Sequence, residues 1–230
     1  MKITVINPNT SAVMSARIAE ELGRIAGPTT AVRVVNPATG PSAIESATDE
    51  ACALPSLLAL AEQAEREGAD AVLIACFADP GLEAARELLS IPVVGLEESA
   101  LHVAAMLGHA FTVLTARRTR VPAKHEHVRR AKLEGYLASI RPLEMGVLEM
   151  EANPDRAAAQ IMAVGRAAVL EDGAEVLVLG CAGLAGHGSA IAAELGVTVV
   201  DPLPVALRTA EMLVSLKLTH SKRAYYARPA

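Results

Sequence analysis

Residues 68–80 constrain the fold more than any other stretch of the sequence. Residues 71–75 are apolar without alternation, which is the pattern of a parallel strand covered by helices on both faces. Cys76 follows directly after this run. Asp79 and Pro80 then supply an N-cap residue and a proline suited to the first position of a helix. The stretch therefore predicts a buried strand that delivers Cys76 to a strand-to-helix turn.

The same pattern returns in residues 173–181, which end in Cys181, and the offset between the two copies is constant. A weaker similarity relates residues 4–7 to residues 112–115. The simplest interpretation is two similar α/β halves, each presenting one cysteine to a shared cleft. Ligands of open α/β sheets bind outside the carboxyl ends of the strands, and a helix N-terminus there would favour the thiolate form of a cysteine.

The composition narrows the class of protein. Of 230 residues, 52% are hydrophobic and 2% are aromatic, so we expect an aliphatic core and few rings on which bases could stack. The net charge is −5, and we therefore expect no nucleic-acid partner. The sequence has no secretory signal, no bilayer-length apolar run and three separated cysteines. These features predict a cytoplasmic protein with free thiols and no membrane partner.

The rest of the pattern predicts alternating strands and helices. Strands are expected at residues 2–6, 30–36, 92–95, 110–114, 146–150 and 196–200, and helices at 12–26, 48–67, 97–107, 155–170 and 202–218. Pro55 is expected to break or restart the second helix, and Cys52 to be a small buried residue. A charged helix containing His125 and His127 is expected to have a solvated face and no metal. The polar tail from residue 219 is expected to be mobile or to contact another subunit.

A polar turn, residues 7–11, follows the first predicted strand. Asn9, Thr10 or Ser11 can cap the helix that begins near residue 12. The turn also lies at the edge of the sheet where ligands of such folds bind. Helix capping and substrate contact are compatible roles for these residues.

The two repeated cysteines allow four interpretations on their residues alone. Each cysteine can be a small buried residue at a strand end, or both can ligate a metal ion together with His187. One of them can be the nucleophile of a hydrolase, with His102 or His187 as its base. The fourth interpretation uses both thiols as an acid–base pair.

An acid–base pair of thiols can invert a carbon atom next to a carbonyl group. One thiolate removes a proton from one face of the substrate, and one thiol returns a proton to the other face. The intermediate is an enolate, which the backbone N–H groups after each cysteine would stabilise. The sequence has no phosphate-binding glycine loop and no lysine placed for a Schiff base, so we expect no cofactor.

Several motifs resemble the Asp/Glu/hydantoin racemase superfamily, and within it the hydantoin and allantoin racemases. They extend over nearly the whole chain, and the Cys-Phe-x-Asp-Pro-Gly and Gly-Cys-Ala-Gly segments are specific. The matching stretches are residues 6–11, 40–41 with 44–45, 75–82, 92–95, 171–175 and 179–183. Ala78 and Leu184 are mild departures from the family pattern, and they could alter the preference for the C5 substituent.

The resemblance implies cofactor-independent racemisation at C5 of 5-substituted hydantoins, with allantoin as one candidate. It implies an α/β fold of two pseudo-symmetric lobes, each a small parallel sheet flanked by helices, with the active site in the cleft between them. The first lobe would comprise residues 1–96 and about 205–230, and the second residues 97–204. A homo-oligomer is also implied, as is a cyclic ureide as the small-molecule substrate.

The resemblance also assigns roles to individual residues. Cys76 and Cys181 would be catalytic, on opposite sides of the cleft, and no residue would bind a metal. Substrate would be bound by residues that follow strand ends, which are Asn9, Phe77, Ala78, Thr115, Ala182 and Gly183.

Two alternative functions stay open. An amino-acid racemase of the same superfamily would need charged partners for a carboxylate and an ammonium group, and Glu45, Arg117 and Arg118 keep this option open. The neutral turn at residues 7–11 favours an uncharged ring instead. A small-molecule binding protein without chemistry is the other alternative, whereas a decarboxylase on this fold normally uses one cysteine.

Overall fold

The computed structural model describes residues 1–181 and 188–228. The chain divides into two compact units. The first unit consists of Met1–Leu96 and the residues from Ala206 onward, and the second consists of Glu97–Val205. Among the described residues, no helix is long and apolar enough to cross a membrane.

The described part of the first unit is built on a four-stranded parallel sheet with the order β2-β1-β3-β4. Its strands are β1 Lys2–Ile6, β2 Ala31–Val35, β3 Ala71–Ile74 and β4 Val93–Gly95. Its helices are α1 Ala12–Ile25, α2 Ala47–Arg66, α3 Leu82–Leu88 and most of α9 Pro202–Ser215. All of β3 is buried, as its continuous apolar run predicts for a central parallel strand.

The described part of the second unit repeats this topology, with the strand order β6-β5-β7-β8 in a parallel sheet. Its strands are β5 Phe111–Thr115, β6 Leu137–Pro142, β7 Val176–Gly180 and β8 Thr198–Val200. Its helices are α4 Leu96–Leu107, apart from Leu96, and α5 Val121–Arg130, α6 Val147–Ala152, α7 Pro154–Asp172 and α8 Gly188–Leu195. The predicted fold class, parallel sheets flanked by helices in a repeated α/β arrangement, is confirmed.

One predicted strand is wrong. Residues 146–150 were expected to be extended, but they begin helix α6, in which Met150 N–H donates to the carbonyl of Gly146 (2.9 Å). Met150 is buried and Leu148 is exposed, which is a helical rather than an alternating distribution. The strand lies earlier, at β6, whose edge position leaves most of its side chains half-buried and weakens the apolar signal.

Two expectations about helix α2 are also wrong. The helix runs through Pro55 without a break, because Pro55 lies on the exposed side of a helix held by buried Ala53 and Leu57. Cys52 is exposed rather than buried. It precedes Ala53 by one residue, which is a rotation of about 100° away from the buried face.

The charged helix has the expected solvated face, since His125, Glu126, Arg129 and Arg130 are exposed on α5, but Lys124 of the same helix is buried. The tail is not a mobile end, since residues 219–228 pack on the first unit and hydrogen-bond to α3 and β4. Contacts with distant parts of the chain decide both outcomes.

Candidate functional site

Cys76 lies where the central strand of the first sheet ends. Ile74 is the last residue of β3, and Ala75 N–H still donates to the carbonyl of Ile6 on β1 (2.8 Å). Cys76 N–H donates to the carbonyl of Ile74 (3.0 Å), which turns the chain out of the sheet. Cys76 is half-buried, whereas the next residue, Phe77, is buried. The thiol therefore sits at the carboxyl edge of the sheet, where ligands of such folds bind.

The turn after Cys76 differs from its predicted form. Asp79 was expected to cap the next helix, but it has a positive φ of 45° and lies in a tight turn in which its N–H donates to the carbonyl of Cys76 (3.0 Å). Gly81 is the N-cap residue, with φ 69°, and α3 starts at Leu82. Asp tolerates this left-handed conformation better than most residues. The helix thus begins two residues later than the sequence pattern predicted.

The Asp79 side chain joins this turn to the neighbouring strand. Gly95 is the last residue of β4, and a Cβ atom at this position would overlap the carboxylate of Asp79. The carboxylate therefore lies directly over the Gly95 backbone. Ala78, between Cys76 and Asp79, is half-buried. Residues 76–81, called the cysteine turn below, are in this way fixed against the end of β4.

The polar turn after β1 leaves the sheet at the same level as Cys76, because Ile6 pairs with Ile74. Ser11 caps α1 by accepting from Met14 N–H (3.1 Å). Asn9 is buried, and its Oδ1 accepts from Ser11 N–H (2.8 Å) and from the side chain of Asn7 (2.9 Å). Asn9 therefore holds the turn in shape, and its contact with substrate stays a prediction.

The second unit places Cys181 in the equivalent position. Cys181 follows Gly180, the last residue of β7, and Gly180 pairs with Thr115 at the end of β5. Both Cys181 and Thr115 are buried. Cys181 packs in an apolar cluster that also contains Leu114 and Met145. Each unit thus places one cysteine at the carboxyl edge of its sheet. Cys76 lies at the level where β1 ends, and Cys181 lies at the level where β5 ends.

Some predicted residues lie outside the described part of the chain. These are Ala182, Gly183 and His187. His102 is described: it is exposed on α4, and its Nδ1 lies 2.7 Å from the carbonyl of Glu98 in the same helix. Within residues 1–181 and 188–228, no group of three or more metal-ligating side chains is placed to hold an ion.

A buried charge cluster was not predicted from the sequence. Lys124 Nζ lies 2.8 Å and His127 Nδ1 2.6 Å from Oε2 of Glu97, in the first turn of α4. The side chains of Glu97 and Lys124 are 4% and 3% exposed. Burial alone would raise the pKa of Glu97, but the Lys124 charge and the His127 hydrogen bond outweigh it, so this pKa is lowered. The spacing of Lys124 and His127, which puts both on one face of α5, is the sequence signal that could have indicated the cluster.

Gly180→Ala is expected to destabilise the second unit and to displace Cys181. A Cβ atom at Gly180 would overlap the carbonyl oxygen of Leu114 on β5, and a backbone atom inside a sheet cannot move aside. Overpacking of this kind costs about 1–3 kcal/mol. Thermal unfolding should show the loss of stability. Gly23→Ala is the control, because no atom lies within 4 Å of the added Cβ and the substitution in helix α1 should instead stabilise the fold.

Comparisons with known proteins agree along the whole chain. The model of the Asp/Glu/Hydantoin racemase family matches residues 3–210. A hydantoin racemase from Paenarthrobacter aurescens is 40% identical over 230 residues, which is 100% of this chain and 98% of that protein. The structure of an allantoin racemase from Klebsiella pneumoniae is 34% identical with a TM-score of 0.97, and the match covers 100% of this chain and 94% of that one. For the allantoin racemase from Pseudomonas fluorescens the values are 37%, 0.95, 100% and 97%.

Proposed function

This chain belongs to the Asp/Glu/hydantoin racemase family and is a racemase, and we propose that it racemises 5-substituted hydantoins through Cys76 and Cys181. The substrate is proposed from the relatives, which are a hydantoin racemase and two allantoin racemases. Allantoin, a 5-ureidohydantoin, is the first candidate within this class. The alternative substrates are aspartate and glutamate, which the family name also includes.

The observation that carries the mechanism is the equivalent placement of the two thiols. Cys76 follows β3 and Cys181 follows β7, and these strands occupy the same position in two sheets of identical order. Thiols at the ligand-binding edges of both sheets support a role in chemistry. Racemisation removes a proton from one face of the substrate and adds a proton to the opposite face. It therefore needs one acid–base group on each face.

The proposed reaction moves one proton at each face of C5. One cysteine is a thiolate, and it takes the C5 proton of one enantiomer to become a thiol. The C5–H electron pair moves into the ring to form the C4 enolate. The other cysteine donates its thiol proton to the opposite face of C5, the electron pair returns from the oxygen, and this cysteine is left as the thiolate. The two thiols have then exchanged protonation states, which prepares the enzyme for the other enantiomer.

The neutral character of the first unit's turn supports an uncharged substrate ring. Residues 7–11 contain amide and hydroxyl side chains, and Asn7 and Asn9 are buried among themselves and Ser15 rather than paired with a charge. An α-amino acid would bring a carboxylate and an ammonium group that such a turn does not neutralise. Arg117 and Arg118 are exposed on the loop after β5, and Arg118 pairs with Glu144 (2.8 Å).

Self-association stays a prediction from the family resemblance.

Polarimetry on single enantiomers tests the substrate class. The protein should remove the optical rotation of at least one 5-substituted hydantoin, allantoin included, faster than the measured background, while L-aspartate and L-glutamate keep theirs. Loss of rotation of the amino acids alone would replace the hydantoin proposal with an amino-acid racemase. Tight hydantoin binding without any loss of rotation would contradict the catalytic assignment for this substrate class.

A further inference from the structure

We propose that the C-terminal residues 219–228 form a strap that positions Cys76, and that Lys222 is its main positioning residue. The strap is defined here by these ten positions, all of which belong to the first unit. It lies far from Cys76 in sequence and contributes no group to the proposed chemistry. The proposal rests on the role assigned to Cys76 above, and it extends that role to the elements that hold the cysteine turn.

Lys222 binds the end of the helix that follows Cys76. Its Nζ donates to the carbonyls of Arg86 and Glu87, with a distance of 3.1 Å to the latter. Both residues lie in the last turn of α3, where carbonyl groups have no partner within the helix and the helix dipole favours a positive charge. The ammonium group is partly withdrawn from water, and this desolvation lowers the pKa of Lys222. Lys222 is therefore a side-chain cap on α3 supplied by a distant part of the chain.

The remaining contacts of the strap are made to Arg86, which itself joins α3 to the edge strand β4, and to β4. The buried side chain of Arg86 donates from Nε to the carbonyl of Val93 (3.1 Å). Tyr226 covers it, with its hydroxyl 3.3 Å from Nη1 and its ring centroid 5.7 Å from the guanidinium carbon. Val93 N–H donates to Nε2 of His220 (2.9 Å). An edge strand would otherwise leave such groups open to other chains, and the strap covers them.

Both elements held by the strap border the cysteine turn. The start of α3 is joined to Cys76 through Asp79, whose carbonyl accepts from Leu82 N–H (3.2 Å) and whose N–H donates to Cys76. The end of β4 supports the same turn, because the Asp79 carboxylate lies over Gly95. A shift of α3 or β4 therefore moves the turn that carries the thiol. Since α3 is seven residues long, its own hydrogen bonds hold it weakly without a cap at its end.

The three cysteines of the chain provide the test. Cys76 is in the cysteine turn, Cys181 is in the other unit and Cys52 is exposed on α2, so all three can be followed in one alkylation experiment with iodoacetamide and peptide mapping. Lys222→Met removes the cap. Arg223→Met is the matched control, because Arg223 is an exposed cation of the same strap and it is its backbone N–H that donates to Oγ of Ser221 (3.4 Å).

Lys222→Met should change the alkylation rate of Cys76 by about three- to tenfold, the effect of losing one or two hydrogen bonds to the helix end. The rates of Cys52 and Cys181 should stay unchanged, as should all three rates in Arg223→Met. In the racemase assay, Lys222→Met should lower kcat by a similar factor with little change in KM. A chain that ends at Leu218 should show the same selectivity for Cys76 with a larger effect.

Two results would overturn the proposal. One is a Cys76 alkylation rate in Lys222→Met equal to that in Arg223→Met, and the other is a parallel rise at all three cysteines, which would mean general loosening of the fold. Lys222→Met remains informative if the shortened chain does not fold. Alkylation requires no turnover, so failure of the strap is distinguishable from failure of the racemase mechanism.

Discussion

Replacing Cys76 with serine is expected to lower the racemisation rate by a factor of about 100 to 10,000, and replacing Cys181 is expected to do the same. A serine hydroxyl keeps its proton at neutral pH, so the variant has no base on one face of C5 and a poor acid when the reaction runs in reverse. The two substitutions change little else, since sulfur and oxygen differ modestly in size. The change in optical rotation of a single hydantoin enantiomer, measured in both directions, gives the rates.

Cys52→Ser is the matched control for both variants. Cys52 is exposed on α2 and does not follow a strand of either sheet, so this variant should keep the activity of the parent. Near-normal inversion by either Cys76→Ser or Cys181→Ser would rule out an obligatory pair of thiols. Equal losses in all three variants would point to a general requirement for reduced cysteines instead of two specific roles.

Lys124→Met is expected to cause a large loss of stability in the second unit. It leaves the buried carboxylate of Glu97 without the lysine charge that lies 2.8 Å from it. Breaking a buried ion pair by removing one partner costs about 3–5 kcal/mol, because the remaining charge stays desolvated. Chemical denaturation monitored by circular dichroism measures this loss.

The control for Lys124→Met is Arg129→Met on the same helix. Arg129 pairs with Glu126 three residues earlier, and both side chains are largely exposed, so its loss should leave stability almost unchanged. A double variant, Glu97→Gln with Lys124→Met, should recover part of the loss because no buried charge remains. A loss in Lys124→Met as small as in Arg129→Met would contradict the assignment of Glu97 and Lys124 as a buried pair.

The loss of stability caused by Lys124→Met is expected to depend on pH. In the parent protein the pKa of Glu97 is lowered, so the ion pair stabilises the fold fully above the unfolded pKa of about 4.3, and this stabilisation is lost as the pH falls through the lower pKa of the folded state. Without Lys124, burial favours the protonated acid, and acid then relieves the cost of the charge. The stability difference between parent and Lys124→Met should therefore be largest near neutral pH and shrink toward acidic pH.

The sequence was most informative about the central strands, because their complete burial gives a continuous apolar run. The runs at residues 71–75 and 176–180 are apolar throughout because both strands lie in the middle of parallel sheets, and their positions and the cysteines that follow them could be predicted. The edge strand β6 was missed for the complementary reason. Its side chains are half-buried, and Arg141 within it is paired with Asp172 on α7 (2.6 Å).

Features that depend on distant residues could not be predicted. Glu97 lies well before Lys124 in the sequence, and without knowing that α4 and α5 meet, the charges of α5 resemble an ordinary solvated face. Lys222 caps a helix more than a hundred residues earlier, which no local pattern indicates. The left-handed conformation of Asp79 could not be predicted either. The sequence Asp-Pro-Gly is compatible both with this tight turn and with the start of a helix.

Deuterium exchange by the two cysteine variants tests the two-base mechanism most directly. Each enantiomer of the fastest hydantoin is incubated with Cys76→Ser or Cys181→Ser in deuterated water, and NMR follows C5 while polarimetry follows inversion. The mechanism predicts that each variant exchanges the C5 proton of one enantiomer without inverting it, and that the two variants act on opposite enantiomers. Exchange of the same enantiomer by both variants, or inversion that accompanies exchange in either, would contradict it.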